Sequence, residues 1–572
     1  MLPHDAEDPW KGIARRKRAQ RDSAIPMDWR LDHIYLPKDN GEPENVLAVP
    51  HQCGILSAEE LQITSNYDAG GIIREITSRC ITAKQVTTAF CKRAAIAQQL
   101  TNCLTEPLFA SALQRADFLD KYLAEKGTPL GPLHGLPISM KDTFSIAGVD
   151  SSIGVAALCF KPAAFNSPLV ELLLSLGCVI IAKTNVPQTL AALDSHNNVF
   201  GRTMNPINRL VTAGGSSGGE GVLVAMRGSM IGVGTDIGGS IRVPAMCNAV
   251  YGFKPSVGRV PHGGQEGGSL YGNGRVGIQA VTGPIARSVQ DLETFLKEVV
   301  PRAEMWGEDC VPGTWRQEKL RGSGDNGKLV VGVLRRDGNC EPLPPVLKVL
   351  EEVKQKLSLT TNIDVVDLST PPAWTKCQSL AGRMMGADGA THMADLLEQT
   401  KEPLVTWMQG RFKRGSPRSF AEMSQMQAAR SDLERQMLDI WYSTDERGVR
   451  ERKVDAIICP VAPHPVPPID RWNAVGYTSS FVLLDYPAGV IPVRKFDEGD
   501  LELGKQLEGT AKGSWDKRNR ELWDEQATNR KIYLGTPLSI QIVTPKLHDF
   551  ELCRMMELID RALDTVRRVS KL

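Results

Sequence analysis

Apolar residues recur at helical spacing from Ile73 to Gln98, which predicts an amphipathic helix over that stretch. Just upstream, Ser57-Ala-Glu-Glu60 has the form of a capping box opening a short helix. Residues 1–75 as a whole read as an N-terminal helical arm. From about Pro129 the texture changes, and Gly and Pro punctuate short apolar runs. Leu136-Pro-Ile-Ser-Met-Lys141 is a short strand that ends in a charge. Leu169–Gly177 is a helix, followed at once by the β-branched strand Cys178–Ala182. A Gly-rich loop then leads into a buried helix at Val222–Met226. Met230–Thr235 is a strand and Asp236–Ser240 the loop after it. Val454–Cys459 and Leu538–Val543 are further strands. Such alternation predicts an α/β fold whose sheet carries helices on both faces. Phe496–Lys531 is rich in charge, lacks apolar periodicity and reads as a surface excursion.

Composition narrows the function classes. With 42% apolar and 23% charged residues, the chain can bury a large core. A formal net charge of +1 gives no long-range attraction to nucleic acid or an anionic membrane. The longest apolar stretch, Pro168–Ala182, is interrupted by Glu171 and is too short to span a bilayer. The N-terminus carries Asp5, Glu7 and Asp8 and shows no secretory apolar run. The twelve cysteines form no C-x-x-C pair and no zinc spacing, so reduced, mostly buried thiols and a cytoplasmic location are expected. The basic run Lys11-Gly-Ile-Ala-Arg-Arg-Lys-Arg18 reads as a solvated helix face, with a nuclear signal as the alternative.

Three segments carry candidate chemistry. Ala213-Gly-Gly-Ser-Ser-Gly-Gly-Glu220 concentrates small residues where backbone approaches a ligand or where a loop is merely flexible. In Gly234-Thr-Asp-Ile-Gly-Gly-Ser-Ile-Arg-Val-Pro244 a serine follows two glycines at a strand end. The N–H groups of Ile237, Gly238, Gly239 and Ser240 can converge there as an oxyanion hole. One such donor contributes about 3–4 kcal/mol to a transition state in a dry site. Lys141 ends an apolar strand, where its ammonium is either poorly hydrated or paired with Asp142. A serine hydroxyl needs an adjacent base to attack. The only histidine in these segments is His134, ahead of Lys141.

Together these segments resemble the amidase signature family, whose namesake motif matches GGSSGG and GTDIGGSIR. Gly131-Pro-Leu-His-Gly-Leu-Pro137, Lys183-Thr-Asn-Val-Pro-Gln188, Gly201-Arg-Thr-Met-Asn-Pro206 and Thr282-Gly-Pro-Ile-Ala286 are similar too. The similarity runs from about residue 75 to 565, so 76–568 is expected to form one amidase signature domain on a mixed, twisted sheet. The segment Ala89–Cys103 and Glu220 look most like fungal acetamidases. Pro is common in the family where this chain has Ala213.

The resemblance implies hydrolysis of a small-molecule amide to carboxylate and ammonia, without cofactor or metal. It assigns Ser240 as the acyl-enzyme nucleophile, Ser216 as proton relay after a cis peptide, and Lys141 as base. Leu190 contacts substrate, Ser217 supports the network, and Asp236 and Arg242 brace the loop. A neutral lysine at pH 7 costs about 4–5 kcal/mol from an ordinary pKa, a cost that burial reduces.

Competing readings are weaker on the residues. Gly214-Gly-Ser-Ser-Gly218 fits a nucleophile elbow, but no apolar strand precedes it. Ser514-Trp-Asp-Lys517 fits S-x-x-K without its companion motifs. A partner-dependent amidotransferase-type subunit, a homodimer, and a hydrolase of long-chain fatty acid amides stay open. Residues 370–480, with Trp374, Trp407, Trp441 and Trp472, are the candidate source of acyl-length preference.

Overall fold

The computed structural model describes residues 8–569 except 39–40, 270–274, 316–319, 321, 472–474, 505–506 and 508. Asp5, Glu7 and Trp472 therefore lie outside the described residues.

Eleven strands form one mixed sheet. They are β1 (Leu104–Pro107), β2 (Pro137–Lys141), β3 (Val179–Thr184), β4 (Ile231–Asp236), β5 (Tyr251–Lys254), β6 (Val281–Ala286), β7 (Leu329–Val333), β8 (Ile363–Asp367), β9 (Ala456–Pro460), β10 (Ala488–Lys495) and β11 (Pro537–Val543). Their spatial order is β1-β3-β2-β4-β6-β5-β10-β11-β9-β7-β8. Next to the antiparallel edge strand β1 the trio β3-β2-β4 is parallel, the pairs from β4 through β11 to β9 are antiparallel, and β9-β7-β8 are parallel again.

Both faces are covered, because strand side chains alternate between two cores. Val331, Val333, Ile458, Ile540 and Ile542 enter the largest core. Their neighbours Val330, Ile457, Cys459 and Val543 enter a second one, around Trp374, Tyr477 and Phe481. Helices supply the opposing surfaces on each side. The elements used below are α1 (Pro9–Ser23), α2 (Ala58–Asn66), α3 (Ala69–Thr77), α4 (Ala83–Thr101), α5 (Pro168–Ser175), α6 (Gly218–Ala225) and α7 (Arg242–Cys247).

Most of the expected elements are present within a residue or two. Ser57 caps α2 in a complete capping box with Glu60, and α5 leads directly into β3. Four expectations need correction. Ile73–Gln98 is two helices, α3 and α4, with Arg79 left-handed (φ 63°) at the break. Thr82 and Gln85 close a second capping box that restarts the helix, a signal the apolar spacing overrode.

The Gly-rich run is not wholly loop, because α6 begins at Gly218, inside it. Glycine is needed there for close approach: a Cβ on Gly219 would sit 2.5 Å from the Asn185 nitrogen and 2.6 Å from the Cys103 carbonyl oxygen.

The basic run is helical in α1, but Lys17 is buried rather than solvated, with Nζ 2.5 Å from Glu106 and 2.7 Å from Asp150. The stretch Phe496–Lys531 also contributes to the core. Leu522 and Trp523 are buried against Phe496 and Tyr533, and Asp500 is buried in an ion pair with Arg494. Of its charges Asp500, Asp516 and Arg530 are buried, while Glu498, Lys517, Arg518, Asp524 and Glu525 are exposed as a surface excursion requires.

Among the described residues no helix is long and apolar enough to cross a membrane.

Candidate active site

The site sits where the parallel strands β2 and β4 end side by side. Met140 pairs with Val233 in the ladder, so Lys141 and Thr235 emerge together at the carboxyl end of the sheet. The loop before α6 delivers Ser216 and Ser217, and the loop between β4 and α7 delivers Ser240. A crevice at the carboxyl ends of parallel strands is the general ligand position in α/β sheets.

Lys141 is only 1% exposed. Its Nζ donates to Ser216 Oγ at 2.7 Å and to Thr235 Oγ1 at 2.7 Å. No carboxylate of the described residues lies within ion-pair distance of it. The alternative pairing with Asp142 does not form. That carboxylate instead accepts from the Thr105 and Ser152 hydroxyls and the Ile153 N–H. Burial pushes the Lys141 ammonium down to about 7, against the opposing pull of Asp236 and Glu220. Burial in turn pushes the Glu220 carboxyl up to about 8, although the Ser139 and Thr184 hydroxyls donate to it at 2.5 and 2.7 Å. The raised carboxyl beside β2 therefore pulls on Lys141 less than an ordinary carboxylate would.

The serines are tied to this framework. The peptide bond Gly215–Ser216 is cis. The Ser217 N–H donates to the Ser240 carbonyl at 3.2 Å, and Ser217 Oγ accepts from the Thr235 N–H at 3.3 Å. Ser216 and Ser240 are 3% and 5% exposed, and both line one cavity of about 710 Å³ with Lys141 and Thr235. Ile237, Gly238 and Leu190 line it as well. Leu190 follows Thr189, and both residues are left-handed, at φ 60° and 66°.

Gly239 departs from expectation. Its N–H donates to Asp236 Oδ1 at 2.7 Å, and it does not line the cavity. A Cβ there would lie 2.6 Å from Thr478 Oγ1, and its φ of 132° also excludes larger residues. Asp236 is the hub that turns this loop. Burial pushes it up, but Arg242 holds the carboxylate below its usual range. Arg242 Nε and Nη2 both donate to it at 3.0 Å, and the Ile241 N–H adds a further bond at 3.2 Å. Arg242 is fully buried and also donates to Gln541 and to the Thr478 carbonyl, so Asp236 and Arg242 sit behind the cavity as a brace.

Two groups of the site were not singled out by the sequence. Thr235 was read only as the end of a strand, although a hydroxyl at the last position of β4 was the visible signal. The His262–Gln265 pair lies in a Gly-rich loop with no periodic or motif context. The tryptophans of 370–480 that are described do not line the cavity: Trp374 and Trp441 are fully buried, and Arg411 stacks on Trp407 at 3.4 Å. Met385, Met393, Phe412 and Val475 from the same region do line it.

A family model described as Amidase matches residues 85–553. The chain belongs to the amidase family. An amidase of Gibberella zeae is 36% identical over 97% of this chain and 99% of its own length. The acetamidase of Emericella nidulans is 35% identical over 97% and 99%. Among solved structures, a fatty acid amide hydrolase superposes with a TM-score of 0.84 at 28% identity, covering 96% of this chain and 95% of that one. The amidase of this sequence is thus a hydrolase acting on amide C–N bonds.

Proposed function

We propose that this amidase hydrolyses primary amides of monocarboxylic acids through a Ser240–Ser216–Lys141 relay. One observation carries the reading: a buried lysine whose Nζ is held 2.7 Å from Ser216 Oγ with hydroxyls, not carboxylates, as partners. Ser240 Oγ attacks the amide carbon while its proton passes to Ser216 Oγ, and the proton of Ser216 passes to Lys141 Nζ. The backbone N–H groups of Ile237, Gly238 and Ser240 face the developing oxyanion. Gly239 takes no part, because its N–H serves Asp236. As the tetrahedral adduct collapses, Lys141 returns the proton through Ser216 to the leaving nitrogen, and ammonia departs. The acyl group then rests on Ser240 as an ester. Water attacks that ester, gives its proton along the same path, and releases the carboxylic acid and free Ser240.

The acetamidase relatives support short aliphatic amides as substrates. A cavity of about 710 Å³ has the size of sites that hold drug-sized ligands, so acyl groups well beyond acetyl fit. That volume favours a second reading, hydrolysis of longer N-acyl amides. Twelve unpaired thiols, nine of them buried, support a reducing, cytoplasmic setting.

A series from acetamide through hexanamide and benzamide to long-chain amides, run beside Ser240→Ala, tests the assignment. The variant is expected to lose at least about 10³-fold in kcat with its melting curve unchanged. Retained turnover in that variant refutes the role of Ser240.

A further inference from the structure

The cavity holds one imidazole that the relay does not use. His262 follows β5 in a loop and lines the cavity with Lys141, Ser216 and Ser240. Its neighbours fix its tautomer. Gln265 Nε2 donates to the His262 carbonyl oxygen at 2.9 Å, and a carbonyl only accepts, so this end of the amide is the nitrogen. Gln265 Oε1 correspondingly accepts from the Thr143 hydroxyl at 2.6 Å. The same Nε2 lies 3.1 Å from His262 Nδ1 and 3.3 Å from Thr282 Oγ1. Thr282 Oγ1 is itself 3.0 Å from Nδ1. Nδ1 thus faces an amide nitrogen that can only donate and a hydroxyl free to donate, and it is the acceptor. The ring proton resides on Nε2. Burial, reinforced by Lys141, pushes the imidazole down to about 4, so the ring is neutral near pH 7. Among the described residues no group accepts from Nε2–H.

We propose that His262 is a specificity residue of the acyl pocket, whose Nε2–H donates to a hydrogen-bond acceptor on the substrate's acyl group. The inference rests on the reading of the chain as a primary amidase. With ammonia as the leaving group, everything beyond the carboxamide occupies the acyl side of the cavity. The preferred class is then amides whose acyl part carries a ring nitrogen or an ether or carbonyl oxygen, set where Val260, Ile278 and Met385 give the cavity an apolar wall, while charged side chains such as Glu266, Arg275 and Asp388 line it elsewhere. A donor left without its acceptor in such a pocket discriminates against the plain hydrocarbon analogue.

The test compares benzamide with its three ring-nitrogen isosteres, picolinamide, nicotinamide and isonicotinamide. Each is measured as substrate and as competitive inhibitor of hexanamide turnover. His262→Phe removes the donor and His262→Gln supplies an amide N–H in its place. For each amide the intrinsic reactivity cancels in the ratio of wild type to variant. The expected result is that, for at least one isostere, the kcat/KM ratio to benzamide falls about tenfold in His262→Phe, through KM, and recovers in His262→Gln. A ratio unchanged in His262→Phe overturns the proposal. So does a wild type that turns over hexanamide but neither hydrolyses nor binds any isostere better than benzamide. A wild type inactive on acetamide and hexanamide as well refutes the underlying amidase reading instead.

Discussion

The pocket beneath α1 and the cavity at the end of β2 each enclose a lysine, and they do opposite things with it. Under α1, Lys17 lies between Glu106 and Asp150. Burial works against its charge, but the two carboxylates outweigh it and the ammonium is held above its ordinary value. At the end of β2, Lys141 is as deeply buried and meets only hydroxyls, and it falls to about 7. Lys183, one strand over, stands between the two. It donates to the Asp150 carbonyl and to Ser151, with the Asp142 carboxylate 3.6 Å away, and burial lowers it. Burial alone does not make a base. What distinguishes Lys141 is that β4 presents Thr235, and the Gly-Ser loop Ser216, where the other two lysines meet carboxylates.

Substitutions separate these environments. The largest effect is expected for Lys141→Met, which removes the proton acceptor and lowers kcat by about 10³–10⁴-fold near neutral pH. An activity loss under tenfold shows that another group is the base. Lys17→Met leaves two buried carboxylates facing each other and is expected to destabilise the fold by about 3–5 kcal/mol, read as a shift of the denaturation midpoint. A midpoint unchanged in that variant shows that the cluster under α1 does not hold the arm.

Lys141→Met is expected to act on stability with the opposite sign. The folded value of Lys141 lies below its unfolded value of about 10.4, so between about pH 7 and 10 the unfolded chain binds the proton more tightly. The amine thus costs stability as pH falls through that window, and its removal is expected to stabilise the inactive enzyme by up to about 4 kcal/mol near pH 7, less what its hydrogen bonds to Ser216 and Thr235 contribute. The smallest effect is expected for Thr235→Val, which keeps volume and deletes one partner of Nζ. It should lower kcat about tenfold while KM stays within about twofold. An equal change in KM points to substrate contact instead.

Much of the site was legible because its chemistry is local in sequence. Ser216, Ser217, Asp236 and Ser240 lie in two short Gly-rich segments, and Lys141 at a strand end was visible as a charge closing an apolar run. What was not legible depends on partners far along the chain. Gly239 resembles its neighbours in the loop until Asp236 captures its N–H and Thr478 closes behind it. Lys17 looks like one charge in a basic run until Glu106 and Asp150 fold against it. His262 acquires its tautomer only through Gln265, Thr143 and Thr282. The break between α3 and α4 was legible in the Thr82–Gln85 capping box, but continuous apolar spacing masked it.

The proposed relay requires an uncharged Lys141 in the working enzyme, and the pH dependence of kcat/KM on a neutral amide tests this most directly. The predicted profile falls tenfold per pH unit below an inflection near 7, as protonation of Nζ removes the base. A profile flat across that region, with its acid limb only near 4, contradicts a lysine base in this site.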